Sequence, residues 1–336
     1  MVSFTFLVWS RPYWGLEISL PPYYSMREDF MKLRQMRAIL FGVLLFIVVC
    51  AGQGVASEAK TVEVLKNIYT IVHGEGVDSN STFIITADGV IVIDTRVNPA
   101  EADIMLKEIR KHTDLPILYT INTHYHGDHT FGNQVFKESH AIIAHENVRK
   151  ALVGKAGKQH LERFKSFKVT GLEDVTITPP NMIYREKMEL FVGGYHLQLL
   201  HLRRGHTDGD TVIYINELRT VITGDLVFNK KIPYMGDGYV DDWIDSLQHI
   251  EDLDNEIVVP GHGDVGGKPI IIRMKHYLLT LKGLVLDQLK LGKSLLETQE
   301  AVRPVLQQKF QDWAKLDWID GNIERAYYEY SLKAKN

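Results

Sequence analysis

Short apolar runs alternate with polar turns along the first half of the chain, the pattern of a sheet whose strands are separated by helices. Residues 90–93 form an uninterrupted β-branched run, typical of a strand that is buried on both faces. Apolar residues at helical spacing follow over residues 99–111 and predict an amphipathic helix. The predicted strands of this half are 62–72, 81–86, 90–93, 117–121 and 141–144, and further helices are predicted near 131–136 and from Glu146.

The second half of the chain repeats this alternation from Val175 onwards. Its predicted strands are 188–191, 197–200, 211–215, 220–223 and 257–259, and its helices are 241–253, one from Pro269 and one from about Asn322. A sheet that carries helices on its outer face must still bury the other face. Two such halves packed sheet to sheet would make an α/β fold of four layers, an αββα sandwich, which the pattern permits.

The segment 31–56 has the features of a secretory signal peptide. Basic residues at its start precede the apolar run 38–50, whose 13 residues are too few for a membrane-spanning helix of about 20. Small residues ending at Ala56 resemble a signal peptidase site. We therefore expect a periplasmic or secreted protein with no stable membrane insertion after cleavage. A short anchor that stays uncleaved is the alternative interpretation.

Residues 1–30 match no part of a signal peptide. We expect them to be an N-terminal extension from a wrongly assigned start, with translation beginning at Met31 or Met36. The remaining domain, 57–336, then has no cysteine, because the one cysteine of the chain is Cys50. A single cysteine cannot form an internal disulfide in any case.

Composition excludes one class of partner. The formal net charge is -4 over 336 residues, and the clusters of Lys and Arg, such as Lys230-Lys231, are short and form no extended basic patch. Nucleic-acid binding requires such a basic patch, so we expect no nucleic-acid partner. Nothing in the sequence predicts an oligomeric state.

Four potential metal ligands fall within six residues directly after the predicted strand 117–121. They are His124, His126, Asp128 and His129. In an extended loop, His124 and His126 point the same way because side chains alternate with a period of two. A turn at Gly127 would then redirect Asp128 and His129, so that the segment can offer two ligands to one metal ion and two to a neighbouring ion.

Three more ligand-type residues lie beside glycines at the ends of other predicted strands. They are His206 in Gly205-His206-Thr207, Asp225 in Thr223-Gly224-Asp225 and His262 in Pro260-Gly261-His262-Gly263. Taken singly, an aspartate beside a glycine is usually part of a turn, and a lone histidine is usually a hydrogen-bonded loop residue. Their joint occurrence at strand ends, where the ligand sites of α/β sheets gather, favours a metal site.

The order of these motifs, H-x-H-x-D-H, G-H-T, T-G-D and P-G-H-G, resembles the metallo-β-lactamase superfamily over nearly the whole chain after the signal segment. The resemblance implies the αββα sandwich and a site for two metal ions. It implies that His124, His126 and His206 bind the first metal, that Asp128, His129 and His262 bind the second, and that Asp225 bridges the two. It also implies that Asp94 supports the metal loop.

Imidazole and carboxylate ligands suit two Zn²⁺ ions, and a site without a thiolate also tolerates iron or manganese. We therefore expect a zinc-dependent hydrolase acting on a small-molecule amide, ester or lactone. Zinc lowers the pKa of bound water to about 7, which provides a hydroxide that attacks the acyl carbon. Asp128 is the expected catalytic residue, since it would both bind metal and handle the proton of that hydroxide.

Three alternative functions stay open. A dedicated β-lactamase is favoured by export, but members of that group with a cysteine ligand have it where this chain has Asp225. They often have a substrate-binding lysine where this chain has Phe228, and Lys230 or Lys231 could take its place. The others are a glyoxalase II-like thioesterase and a mononuclear iron oxidoreductase of the persulfide dioxygenase type. The retained His129 favours hydrolysis over the oxidoreductase.

The walls of the pocket are expected from residues 74–80, 155–178 and 228–240. Tyr125, Phe228, Tyr234 and Met235 are either its apolar lining or ordinary packing residues. Six other histidines match none of the ligand motifs and are interpreted as structural or surface residues: His140, His145, His196, His201, His249 and His276.

Overall fold

Two β-sheets form the centre of the structure, a computed structural model that describes residues 59–73 and 79–333. All of these residues belong to one compact unit, Ala56–Asn336. The predicted signal peptide, the predicted N-terminal extension and part of the expected pocket wall, 74–78, lie outside the described residues. Among the helices that are described, none has both the length and the apolar character needed to cross a membrane.

The first sheet has seven strands in chain order. The first four pair antiparallel and the last four pair parallel, so that β4 belongs to both sets. As its β-branched run predicts, β4 is buried throughout. The strands are β1 (Lys60–Leu65), β2 (Ile68–Val72), β3 (Ser81–Ile85), β4 (Val90–Ile93), β5 (Ile117–Ile121), β6 (Ala141–His145) and β7 (Met182–Tyr184).

The prediction of one strand over residues 62–72 was wrong, because this segment is a hairpin. β1 and β2 pair antiparallel with Leu65 opposite Ile68, which leaves Lys66 and Asn67 as a two-residue turn. Asn67 has a φ of 67°, the left-handed conformation that such turns need and that asparagine tolerates. The turn contains no glycine, which is why the sequence pattern does not reveal it.

The second sheet has five strands in the order β12-β11-β10-β9-β8. Its pairs are antiparallel except for β11 and β12, which are parallel. Both of these strands run past their predicted ends, because the ladder continues through register shifts at Gly224 and Pro260. The strands are β8 (Lys187–Val192), β9 (Tyr195–Leu200), β10 (Val212–Ile215), β11 (Thr220–Phe228) and β12 (Ile257–His262).

The α-helices of the described residues are α1 (Pro99–His112), α2 (Gly127–Thr130), α3 (Glu146–Leu152), α4 (Gly154–Ser166), α5 (Val240–Asp252), α6 (Lys268–Lys290), α7 (Leu295–Lys309) and α8 (Ile319–Lys333). The helix predicted near 131–136 is a 3₁₀ helix, Asn133–Phe136, and two more 3₁₀ helices are Asn216–Leu218 and Leu316–Trp318. α7 was not predicted. It starts at a capping box of Ser294 and Glu297 and contains Pro304, a residue that usually interrupts helices.

The packing of these elements confirms the predicted αββα sandwich. α1 covers the outer face of the first sheet through Met105 and Ile109. α5 to α8 cover the second sheet, with the buried side chains of Trp243 and Leu281 among their contacts. Aliphatic residues of both sheets, such as Ile143, meet in the core between them. The order of layers is therefore helix, sheet, sheet, helix.

The core contacts of α6 can be tested with two leucines of that helix. Leu281 is fully buried, whereas Leu279 is 45% exposed. We expect Leu281→Ala to lower the free energy of unfolding by about 2–5 kcal/mol, because it leaves a cavity in a packed core. Leu279→Ala, the matched control, should change it by less than about 1 kcal/mol. Urea unfolding of the metal-free protein measures both, and similar losses in the two variants would contradict this packing.

Candidate metal centre

A buried aspartate at the end of β4 shapes the loop that carries four of the predicted ligands. The Asp94 carboxylate accepts hydrogen bonds from the backbone N–H of Thr123 (2.8 Å) and from its hydroxyl (2.7 Å). It also accepts one from Nδ1 of His129 (2.7 Å), and Nε2 of that ring then faces the other predicted ligands. Asp94 has a φ of 59°, a left-handed backbone conformation that is uncommon for residues other than glycine and is found most often at functional sites. Supporting the metal loop was the role expected for this residue.

The ligand loop is partly helical. His126 has extended backbone and precedes α2, which begins at Gly127 and contains Asp128 and His129. The backbone does change direction at Gly127, as expected, but it does so by starting a short helix. A side chain at Gly127 would collide with the ring of Phe131, since an added Cβ would lie 2.3 Å from it. This close packing explains the glycine better than turn formation does.

The other predicted ligands come from the second sheet. Asp225 lies within β11 and His262 ends β12, while His206 lies in the loop between β9 and β10. The neighbouring strand passes so close to Asp225 that a Cβ on Gly261 would lie 2.0 Å from its Oδ1. Gly224 has a φ of 51° and packs against Thr123 of the ligand loop, so the two sheets come together at this point.

All seven predicted ligands meet in two groups that share Asp225. Within each group the potential ligand atoms lie within 4.8 Å of one another, and the groups are His124, His126, His206 and Asp225, and Asp128, His129, Asp225 and His262. Oδ2 of Asp225 lies 3.3 Å from Nε2 of His206 and 3.3 Å from Nε2 of His262. Its Oδ1 lies 3.1 Å from Nε2 of His129. The shared carboxylate therefore contacts both groups.

The buried polar atoms of this cluster fit a bound cation. Within the described residues, Nε2 of His124, Nε2 of His129 and Oδ1 of Asp225 are buried without a hydrogen-bond partner. A buried polar atom left unpaired costs about 1–3 kcal/mol, so several at one point require an explanation. Metal coordination would satisfy all three, and imidazole and carboxylate are common metal ligands.

The electrostatics of His124, His206 and Asp225 favour the forms in which these side chains bind metal ions. Burial lowers the pKa of His206 to about 3 and holds the pKa of His124 well below its ordinary value, so both rings are neutral. Burial alone would raise the pKa of Asp225, but His262, His129 and His206 hold it well below its ordinary value. Neutral imidazoles and an ionised carboxylate are the forms that bind metal ions. His129 differs, because Asp225, Asp128 and Asp94 outweigh its burial and hold its pKa well above the ordinary value, so a metal ion would displace a proton there.

A second aspartate, Asp237, orients a ligand from outside the cluster and was missed in the sequence. Its Oδ2 lies 2.9 Å from Nε2 of His126, and Nδ1 of the same ring lies 2.8 Å from Nε2 of His206 in the first group. Arg163 of α4 donates two hydrogen bonds to the same carboxylate, at 3.0 and 2.8 Å. The signal was present, because Gly236-Asp237-Gly238 has the same glycine-flanked pattern as the predicted ligands.

Neither Lys230 nor Lys231 lines the cavity beside the cluster. Lys230 is exposed. Lys231 is buried, and its Nζ lies 3.2 Å from Nδ1 of His262. Phe228 stacks on the ring of His262 with centroids 4.8 Å apart and lines the cavity. The position of the expected substrate-binding lysine is thus occupied by an aromatic wall.

A cavity of about 780 Å³ opens onto both groups of ligands and is lined by His126, Asp128, Asp225 and His262. Two of the expected wall segments contribute to it, through Phe164 and Phe167 of 155–178 and through Phe228, Tyr234 and Met235 of 228–240. Tyr125 lines a neighbouring cavity instead. A further wall, made by residues between Lys315 and Tyr328, was not predicted, since this segment contains no ligand motif.

Comparison with known proteins agrees with this arrangement. A sequence model of the metallo-beta-lactamase superfamily matches residues 74–262, which include all seven clustered side chains. The chain belongs to this superfamily. Its relatives include the Metallo-beta-lactamase type 2 of Bacillus cereus, which is 25% identical over 204 residues, or 59% of this chain and 72% of that protein.

Solved structures of other proteins share the fold. A metallo-beta-lactamase from Pontibacter korlensis superposes with a TM-score of 0.56 and 17% identity, over 66% of this chain and 99% of the other. A double mutant of the sec-alkyl sulfatase PisA1 superposes with a TM-score of 0.60 and 17% identity. That alignment covers 82% of this chain and 50% of the sulfatase, and therefore includes more of the present chain than the first.

The six histidines interpreted as structural or surface residues belong to neither group of clustered ligands. His145 and His201, for example, stack on each other with centroids 3.9 Å apart. Three further histidines, His73, His112 and His160, were not considered in the sequence. His160 of α4 is buried and packs beside His126, with ring centroids 5.9 Å apart.

The role of Asp237 can be tested by metal affinity. We expect Asp237→Ala to weaken zinc binding by about 10–100-fold, because His126 loses the acceptor that orients its ring. Competition with a chromophoric chelator measures this without reference to activity. Asp245→Ala is the control, since Asp245 is exposed on α5 and paired with Arg203. Equal zinc affinity in the two variants would show that Asp237 does not support the ligand.

Proposed function

We propose that this superfamily hydrolase is zinc-dependent and cleaves the acyl bond of a small-molecule amide, ester or lactone. The observation that carries the proposal is the pair of ligand groups that share Asp225 and open onto one cavity. Metal-dependent hydrolases that use two ions need such a shared arrangement. Such a hydrolase also needs space for its substrate beside the metal ligands, and the cavity provides that space.

The ligand groups define which residues would hold each ion. His124, His126 and His206 would hold the first, Asp128, His129 and His262 the second, and Asp225 both. Nitrogen and oxygen donors without a thiolate suit zinc and also accept iron or manganese. When bound, the ions supply a hydroxide nucleophile at neutral pH and a positive charge that stabilises the oxyanion.

Asp128 is the residue to which we assign proton handling. Its carboxylate lines the cavity, so substrate and water can reach it. Its Oδ2 lies 3.5 Å from Nε2 of His129 and 3.4 Å from Nε2 of His262, at the second group. Placed there, the carboxylate orients the attacking water, accepts its proton and passes the proton to the leaving group. Phe228 and Tyr234 line the same cavity and make this part of its wall aromatic.

Hydrolysis of β-lactams is the second candidate, supported by the relatives named as metallo-beta-lactamases. The contacts to substrate would differ from those of the β-lactamases that use a lysine, because Phe228 and not a lysine lines the cavity after Asp225.

We also propose that the protein acts outside the cytoplasm. The signal-peptide pattern of residues 31–56 supports this, and detection of the cleaved chain in a periplasmic or culture fraction is its test.

Elemental analysis combined with a substrate panel tests the proposed hydrolase. We expect about two zinc ions per chain and turnover of at least one of a chromogenic β-lactam, a lactone, an aryl ester and a thioester. Asp128→Ala should lower kcat by about 10²–10⁴-fold, because proton transfer and one ligand of the second ion are both lost. Asp103→Ala is the control, since Asp103 is exposed on α1. One iron per chain without hydrolysis would instead support the oxidoreductase alternative.

Removing the metal and adding it back tests whether activity depends on the same site. Dialysis against a chelator should abolish turnover, and addition of zinc should restore it, because the nucleophile depends on the bound ions. Zinc should also raise the midpoint of thermal unfolding, since an ion that binds only the folded chain stabilises it. A chain whose activity survives chelation would contradict metal dependence.

A further inference from the structure

The wall of the cavity opposite the ligand groups comes from the C-terminal part of the chain. Lys315, Trp318, Arg325 and Tyr328 all line the cavity. Trp318 ends the 3₁₀ helix Leu316–Trp318, Lys315 directly precedes it, and Arg325 and Tyr328 lie in α8. This segment follows the last residue of the superfamily match, 262, so the resemblance says nothing about its role.

One side of the cavity is a continuous strip of aromatic rings, which we call the aromatic strip: Phe164, Phe167, Tyr234 and Trp318. Successive ring centroids are 5.7, 6.4 and 5.9 Å apart. The strip passes beside the metal centre, because the ring centroid of Tyr234 lies 5.8 Å from that of His126. Phe167 is 47% exposed, so apolar surface remains uncovered in the described structure. An apolar or aromatic group of a ligand would cover it.

Two cations of the C-terminal wall have no acidic partner. Within the described residues, neither Lys315 nor Arg325 makes an ion pair. Nζ of Lys315 lies 5.5 Å from the centroid of the Trp318 ring, and Nε of Arg325 donates to the carbonyl of Gly238. Arg163 also lines the cavity, but its charge is neutralised by Asp237.

The acidic residues of the same wall do not cancel these charges. Asp317 and Glu324 line the cavity, but both are exposed to solvent, whereas Lys315 and Arg325 are half-buried. Water screens exposed charges more strongly than half-buried ones. The inner part of this wall is therefore positive, and a substrate anion can bind there by charge-assisted hydrogen bonds.

We propose that the substrate is an amphipathic acyl compound whose apolar body lies on the aromatic strip and whose anionic oxyacid group, a carboxylate in the simplest case, binds Lys315 and Arg325. This substrate class rests on the proposed hydrolase function. The scissile acyl bond then lies at the metal end of the cavity, and the anion lies at the C-terminal wall. Residues outside the superfamily match thus select the substrate.

Two esters that differ in one group test the proposal. Both are 4-nitrophenyl monoesters of octanedioic acid, with either a free carboxylate or a carboxamide at the other end. We expect the zinc-loaded protein to have a KM for the carboxylate ester about tenfold below that for the carboxamide ester, the effect of one or two charge-assisted contacts. In Lys315→Gln and in Arg325→Gln this ratio should fall towards one. Lys290→Gln, an exposed lysine of α6 outside the cavity, should keep it.

Binding to the inactive Asp128→Ala variant separates this proposal from the proposed function. Calorimetric titration of both esters into that variant, with and without Lys315→Gln, gives their Kd values without turnover. Stronger binding of the carboxylate ester that is lost in Lys315→Gln supports the anion site even if the wild type hydrolyses neither ester, a result that would count against the hydrolase alone. Equal Kd and KM values for the two esters, or a preference that survives both substitutions, would overturn the proposal.

Discussion

One buried carboxylate, that of Asp94, determines the shape of the ligand loop. It accepts hydrogen bonds from the backbone and hydroxyl of Thr123, just before the first ligand, and from the ring of His129, the last ligand of the loop, so both ends of the loop are held by one carboxylate. Three hydrogen bonds offset the cost of burying the charge and of the unusual backbone at Asp94. The position of His129, and through it the spacing of the second ligand group, follows from this one interaction.

The second sheet completes the site because glycines let its strands approach the loop. Gly224 packs on Thr123, and the backbone N–H of Thr211 donates to the carbonyl of Thr123 at 2.7 Å. Gly261 leaves room for the carboxylate of Asp225. Backbone contacts between the two sheets therefore position the ligands together with the carboxylates of Asp94 and Asp237. Such rigid placement is what a preorganised catalytic site requires.

Local signals in the sequence predicted most of the fold and the clustered residues. The β-branched run of β4 predicted a buried strand, and the histidines and aspartates beside glycines predicted ligands that the structure brings together. What the sequence did not reveal depends on long-range contacts. Asp237 meets His126 across 111 positions of the chain, and the C-terminal wall reaches the cavity only after α6 to α8 have packed. The β1–β2 hairpin was missed for a local reason, its turn without glycine.

The separation of the C-terminal wall from the ligand motifs has a consequence for evolution. All seven clustered residues precede residue 263, whereas the wall from Lys315 to Tyr328 comes from the last elements of the chain. Mutations there alter the shape and charge of the cavity without touching the residues that meet at Asp225. Duplicated genes of this kind can therefore diverge in substrate range while the clustered residues stay the same. The end of the chain is where we expect paralogues to differ most.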